Sequence, residues 1–191
     1  MLKIRKGGHK DLQKYYGLLE VDFDKRELLS KLAIHGAMMK GNMEMLIVYD
    51  DENGMDLGYA ITFCRSLYGY VLLKYLAVMP WFRGKGMGVE CMRLIDKYYA
   101  DRQGILAEVL AFEDEDGSYV RKLEKFFGRF GFETAESDYR IGGTEVELMV
   151  KPIKGTAEIS PVYHRIINDF YSRCLSPMAM DSMIDVRPVK K

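Results

Sequence analysis

A glycine-rich segment between Arg83 and Gly88 carries the clearest chemical signal in the sequence, Arg-Gly-Lys-Gly-Met-Gly. An apolar run from Leu72 to Val78 precedes it and apolar residues at helical spacing follow, so a strand, a turn and a helix are predicted. The first amides of a helix have no partner within the helix and lie at the positive end of its dipole. Glycines let a large anion approach the backbone, and Arg83 and Lys85 add positive charge. The segment therefore predicts a site for a phosphate-bearing ligand.

Two common phosphate motifs do not fit this segment. A nucleotide P-loop needs Gly-x-x-x-x-Gly-Lys followed by Ser or Thr, and the chain contains no such run. The dinucleotide fingerprint needs a third glycine at the position that Val89 occupies. A purely structural glycine turn before an ordinary helix stays open as the alternative.

The spacing that does fit is Arg-x-x-Gly-x-Gly preceded by Val-x-Pro, within the sequence LAVMPWFRGKGMG. It resembles the acyl-CoA-binding motif of the GNAT N-acetyltransferase superfamily. A second segment, FFGRFGF at 126–132, resembles the GNAT signature in which an aromatic pair precedes Gly-Phe. The resemblance covers about residues 1–153 of the chain.

The GNAT resemblance implies a fold, a co-substrate and a set of contacts. The fold is of the α/β (α+β) class, a mixed, mostly antiparallel sheet of about seven strands with helices on both faces. The co-substrate is acetyl-CoA, whose pyrophosphate would lie on the amides of the turn while its pantetheine pairs with the preceding strand. The cofactor-binding residues implied are Leu76, Ala77, Val78, Arg83, Gly84, Lys85, Gly86, Met87, Gly88 and, for packing, Phe127.

Glu108 is the single carboxylate in the apolar segment 105–112, which is predicted to be a strand. A strand that follows a crossover helix lies parallel to the strand before it. The resemblance implies that these two strands splay apart and that the thioester lies in the wedge near Glu108. Glu108 is then either the catalytic general base, with a pKa raised by burial, or the partner of an ion pair or hydrogen bond from a neighbouring strand.

The general acid is left open by the sequence. Many GNAT members carry a tyrosine at the position of Phe127 to protonate the leaving thiolate, and phenylalanine has no proton to donate. Tyr119, Tyr75 and solvent are the alternatives. The acidic run at 113–116 is interpreted as a complement to the dipole of the next helix, with attraction of a cationic amine as the sharper hypothesis.

Composition limits the partners and the compartment. The 191 residues carry 28 basic and 28 acidic side chains, so no global charge favours nucleic acid or a membrane surface. No run of about 18 apolar residues occurs, and no cysteine–histidine spacing indicates a metal site. Three separated cysteines argue against a disulfide framework, and the N-terminus lacks a signal peptide's apolar core. We therefore expect a cytoplasmic protein without a metal.

The chain is divided into a GNAT acetyltransferase domain at 1–153 and a C-terminal helical extension and tail at 154–191. Ser160-Pro161 is a helix-start signal, and Pro177 is expected to end that helix. Its apolar stripe must be buried on its own domain or on a partner, which leaves a homodimer open. The last residues are expected to form an ill-defined tail.

Together these observations predict an N-acetyltransferase that moves the acetyl group of acetyl-CoA to a primary amine by direct attack in a ternary complex. The acceptor would be an unidentified small molecule or a protein. The alternative, motivated by Phe127, is a non-catalytic acyl-CoA sensor or interaction module with the same fold. A module that binds nucleotide phosphates on the same turn is the third and weakest hypothesis.

Overall fold

The computed structural model describes residues 1–111 and 118–189, which contain nine strands and six helices. The strands are β1 (Leu2–Gly7), β2 (Met43–Asp50), β3 (Asp56–Phe63), β4 (Tyr70–Val78), β5 (Gly104–Leu110), β6 (Glu133–Ala135), β7 (Asp138–Ile141), β8 (Thr144–Pro152) and β9 (Ile184–Arg187). The helices are α1 (His9–Asp22), α2 (Lys31–Met39), α3 (Met87–Tyr98), α4 (Ser118–Gly128), α5 (Tyr163–Ser172) and α6 (Pro177–Met183). None of the helices in these ranges is long and apolar enough to cross a membrane.

The strands form one mixed sheet in the order β1-β2-β3-β4-β5-β8-β7-β9, with β6 paired to β8. Only β4 and β5 run parallel among these pairs, as the crossover through α3 requires. The predicted mixed, mostly antiparallel sheet is confirmed, but it has nine strands rather than about seven. The short strands β6 and β7 follow each other closely along the chain, and β9 comes from the C-terminal segment, which was expected to be an ill-defined tail.

Apolar side chains cover both faces of the sheet, as a central sheet between two helical layers requires. On one face α1, α2 and α5 contribute Leu12, Ile34 and Phe170 to the larger core cluster. On the other face α3 and α4 contribute Met92 and Phe127 to the second cluster. The helices on both faces were predicted and are confirmed.

The parallel strands β4 and β5 separate halfway along their length. Their residues pair from Tyr70 with Gly104 to Leu73 with Ala107, and no pairing continues beyond that point. On the other side of β4, the register with β3 shifts so that Lys74 has no partner residue. Such a β-bulge bends its strand and redirects a side chain. The bulge thus opens the wedge that the fold resemblance implied.

The C-terminal segment folds onto the rest of the chain instead of ending in an ill-defined tail. Helix α5 ends at Ser172, and Pro177 begins the separate helix α6 rather than ending α5. Strand β9 then pairs with β7. The apolar stripe of α5 is buried in the larger core, so its burial requires no second copy. The division at residue 153 remains a prediction.

We expect Phe170→Ala to destabilise the whole protein, because the ring is fully buried between α5 and the sheet. Truncation of such a ring costs about 3–5 kcal/mol in free energy of unfolding. Urea denaturation would measure the loss. Met178→Ala on α6 is the control, because Met178 is 83% exposed and its truncation should change stability by less than about 0.5 kcal/mol. Equal effects from the two variants would contradict the docking of α5.

Candidate active site

A cavity of about 540 Å³ opens where β4 and β5 separate. Its walls are the loop between α1 and α2, the ends of both strands, and α4. Six of the eleven predicted site residues line it: Leu76, Ala77, Val78, Arg83, Glu108 and Phe127. The other five, Gly84, Lys85, Gly86, Met87 and Gly88, follow Arg83 directly in the turn and the first residues of α3. The structure thus places the predicted glycine turn next to the cavity that contains Glu108.

The turn has the backbone geometry that its glycines predict. Gly84 and Gly86 have φ angles of 74° and 77°, a region that side chains with a Cβ rarely adopt. Helix α3 begins immediately afterwards at Met87. No turn or capping hydrogen bond within the described ranges uses the backbone amides from Gly84 to Gly88. These amides are therefore available at the positive end of the helix dipole.

Arg83 does not extend freely into solvent. Its Nε donates to the carbonyl of Val78 at 2.9 Å, and its Nη2 lies 2.7 Å from each carboxylate oxygen of Asp22. Asp22 is the last residue of α1 and lines the same cavity. Arg83, which the sequence predicts to bind phosphate, thus forms an ion pair with the opposite wall of the cavity.

Glu108 forms a buried ion pair at the point where the strands separate. The Nζ of Lys74 donates to its Oε2 at 2.7 Å, and both side chains are fully buried. Tyr139 of β7 donates to Oε1 at 2.7 Å, and the hydroxyl of Tyr171 on α5 lies 3.0 and 2.9 Å from the two oxygens. Of the two interpretations left open for Glu108, the ion pair is therefore present. Its role as a base stays a prediction.

Burial and neighbouring charges keep Lys74, Tyr139 and Tyr171 protonated. Burial by itself lowers the pKa of Lys74, but the carboxylates of Glu108 and Glu27 outweigh burial, so the net shift is upward and the ammonium stays protonated. Burial and then the negative charge of Glu108 raise the pKa values of Tyr139 and Tyr171 well above the ordinary tyrosine value. Both tyrosines therefore remain hydrogen-bond donors.

Glu27, in the loop between α1 and α2, is a second carboxylate of the cavity. One of its oxygens lies 4.0 Å from the Nζ of Lys74, and the residue is 6% exposed. Burial raises the pKa of Glu27, Lys74 opposes this shift, and the charge of Glu108 adds to it. Tyr75 holds the loop in place, because its hydroxyl donates to the carbonyl of Glu27 and accepts from the amide of Leu29, each at 2.8 Å.

The structure separates the alternatives for the general acid. Tyr119 lines the cavity, and burial and the charge of Glu27 raise its pKa. The hydroxyl of Tyr75 is instead occupied by the backbone of the loop. Phe127 packs between Phe126 and Phe132 with ring centroids 5.2 and 5.1 Å away, which supports a packing role. The acidic run at 113–116 lies outside the described residues, so both of its interpretations remain predictions.

Sequence reasoning missed several polar residues that shape the site, among them Asp22, Glu27, Lys74 and Tyr171. Lys74 carried a usable signal, since it is the one charge in a strand expected to be buried, and Glu108 is the opposite charge in the next parallel strand. The other three carried none, because they come from a loop and helices whose contacts depend on tertiary packing. No cluster of metal-ligating side chains occurs within the described ranges, and all three cysteines are free thiols.

Comparisons with known proteins identify the fold. No protein-family model matches the chain, and no curated protein matches its sequence. A protein described as a GNAT-family acetyltransferase from Bacteroides thetaiotaomicron aligns with a TM-score of 0.68 and 19% identity, over 89% of this chain and 96% of its own. NAA60 from Arabidopsis thaliana, solved with a bisubstrate analogue, aligns with a TM-score of 0.60 and 14% identity, over 82% of this chain and 100% of its own.

Spermidine N-acetyltransferase SpeG from Vibrio cholerae gives a TM-score of 0.59 and 14% identity over 79% of this chain and 93% of its own. At such low identities these likenesses establish the architecture alone. The chain therefore has the GNAT fold, and the predicted fold class is confirmed.

We expect Lys74→Met to destabilise the protein strongly, because it leaves the buried carboxylate of Glu108 without its cation. Breaking one side of a buried pair costs about 3–5 kcal/mol. The double variant Lys74→Met/Glu108→Gln should recover most of that stability, since the amide keeps an acceptor for the tyrosines without a charge. Urea denaturation of both single variants and the double variant would measure the coupling. If the losses of the two single variants simply added in the double variant, the coupling between Lys74 and Glu108 would be contradicted.

Proposed function

We propose that this chain is a GNAT N-acetyltransferase that moves the acetyl group of acetyl-CoA to a primary amine in a ternary complex. The observation that carries the proposal is one cavity at a splayed strand end, lined by a buried carboxylate and by Arg83, which directly precedes the available amides of the glycine turn. Aligned structures that are described as acetyltransferases support the same reaction class. A small-molecule amine is the favoured acceptor, as in the spermidine acetyltransferase among them.

The residues present fit coenzyme A. The amides from Gly84 to Gly88 and the charge of Lys85 would hold the pyrophosphate at the start of α3. Beyond Leu73 the edge of β4 that faces β5 has no strand partner, so the backbone of Leu76 to Val78 can pair with pantetheine. Phe127 would pack against the same arm of the cofactor. Acetyl-CoA supplies an activated acyl group, and the protein supplies the orientation.

We propose Glu27 as the general base. Both oxygens of Glu108 already accept hydrogen bonds, so Glu108 would have to break one of them to take a proton. Glu27 lines the cavity, and burial raises its pKa toward the range that suits a base. Lys74, held by Glu108, then serves as a fixed cation near Glu27 that keeps the loop carboxylate in place. Most of the rate would come from holding the two reactants together.

The leaving thiolate needs little help from the protein. A main-chain amide near Val78 would stabilise the charge that develops on the carbonyl oxygen. Tyr119 or solvent would protonate the thiolate, because Phe127 has no proton to give. Tyr119 lines the cavity and keeps its proton at neutral pH, since its pKa is raised.

We expect Gly86→Glu to abolish binding of acetyl-CoA, because it places a negative charge on the proposed pyrophosphate site. Gly54→Glu is the matched control. Gly54 has a φ of 69°, close to the 77° of Gly86, and a Cβ at either position would meet no atom within 4 Å. Titration calorimetry with acetyl-CoA would measure binding in the wild type and both variants, with thermal melting to verify folding. Absence of binding to the wild-type protein would refute the proposed function.

We expect the acetylation rate to fall as pH drops through the raised pKa of Glu27, because a protonated carboxyl cannot accept the ammonium proton. Glu27→Gln should lower kcat about 100-fold and remove this acidic limb of the pH profile. Release of coenzyme A thiol with an amine, above the rate of acetyl-CoA hydrolysis, is the measurement. Glu20→Gln, an exposed carboxylate of α1 outside the cavity, is the control.

One outcome would change the assignment of the base, and another would change the proposed function. If Glu108→Gln and not Glu27→Gln removed the acidic limb in a folded protein, Glu108 would be the base. If acetyl-CoA bound but no amine accelerated thiol release, the non-catalytic acyl-CoA sensor would be the better description.

A further inference from the structure

Arg83 lies in contacts that the proposed cofactor would displace. Its Nε donates to the Val78 carbonyl, which is part of the strand edge assigned to pantetheine. Its Nη2 contacts both oxygens of Asp22, on the opposite wall of the cavity. The arginine of the motif therefore spans the cavity mouth between β4 and α1.

Both contacts compete with the cofactor when it binds as proposed. The Val78 carbonyl would pair with pantetheine, and the guanidinium would turn to the pyrophosphate, which carries more charge than one carboxylate. Guanidinium groups pair with phosphate oxygens through short, charge-assisted hydrogen bonds. The Asp22–Arg83 pair is half exposed on the arginine side, at 47%, so it is worth only about 0.2–1 kcal/mol and can be exchanged.

The exchange would leave Asp22 without a cation. Within the described ranges, Arg83 is the only cation in an ion pair with Asp22, whose side chain is 11% exposed. Burial and then the charge of Asp22 raise the pKa of Tyr59, while the charge of Arg83 opposes this shift. The acceptor side of the cavity would then hold the carboxylates of Asp22, Glu27 and Glu108 against the one ammonium of Lys74. A mostly buried carboxylate attracts a cation more strongly than a fully solvated one, so this side favours a cationic ligand.

We propose that Asp22 exchanges partners during the reaction, pairing with Arg83 in the free protein and with a second ammonium group of the acceptor when acetyl-CoA is bound. The acceptor is then an amine that carries another cationic nitrogen, such as a diamine. This inference rests on the proposed function, because the acetyl-CoA pyrophosphate is what removes Arg83. The nitrogen near Glu27 loses its proton and attacks, whereas the nitrogen at Asp22 remains charged.

The first test is the affinity for acetyl-CoA, measured by titration calorimetry. Asp22→Asn should bind acetyl-CoA about two- to fivefold more tightly than the wild type, because the cofactor no longer competes with Asp22 for Arg83. A merely structural ion pair would give the opposite sign. Asp185→Asn is the control, since it removes the bidentate partner of Arg187 outside the cavity and should leave the affinity unchanged. Unchanged or weaker binding in Asp22→Asn overturns the exchange.

The second test is selectivity between 1,4-diaminobutane and butylamine, measured by release of coenzyme A thiol. The wild type should show a KM about tenfold lower for the diamine, and Asp22→Asn should lose that preference while Asp185→Asn keeps it. A preference that survives in Asp22→Asn, or is absent from the wild type, overturns the assignment of Asp22. Acetyl-CoA binding without acetylation of either amine overturns the diamine class. Failure of the wild type to bind acetyl-CoA instead overturns the proposed function.

Discussion

The separation of β4 from β5 is the constraint on which the rest of this structure depends. Pairing stops after Leu73 and Ala107, and the next residues of the two strands, Lys74 and Glu108, face each other as a buried ion pair. A bulge at Lys74 bends β4 away. Backbone groups that would otherwise satisfy one another become available to a ligand, while the ion pair closes the base of the wedge. The cavity follows directly from this geometry.

The walls of the cavity come from parts of the chain that are far apart in sequence. The loop between α1 and α2 supplies Glu27, and the hydroxyl of Tyr75 fixes that loop by two hydrogen bonds to its backbone. Helix α5 supplies Tyr171, which reaches Glu108 from the other end of the sequence. The C-terminal segment is therefore part of the support of the site. These contacts compensate buried charges that would be costly without a partner.

Charge balance links the two halves of the site. Arg83 at the start of the glycine turn is neutralised by Asp22 at the end of α1. A ligand that binds one of these residues must change the surroundings of the other. The proposed coupling between cofactor and acceptor would thus require no movement of a helix or domain, only the exchange of one ion pair.

The sequence alone determined the architecture and the geometry of the glycine turn, because both are encoded by local patterns. The apolar run of β4, the glycines at φ angles of 74° and 77° and the stripe of α3 lie within one continuous stretch. It also identified Glu108 and its two alternatives, since a lone carboxylate in an apolar strand needs a partner or a function.

Only the tertiary structure decided which partner Glu108 has, that Glu27 and Asp22 share its cavity, and that residues 177–187 form α6 and β9. These features depend on contacts between segments distant in the chain, for which local periodicity has no signal. The physical reason is that a buried charge is compensated by whichever group the fold brings within a few ångströms. Sequence spacing does not record that distance.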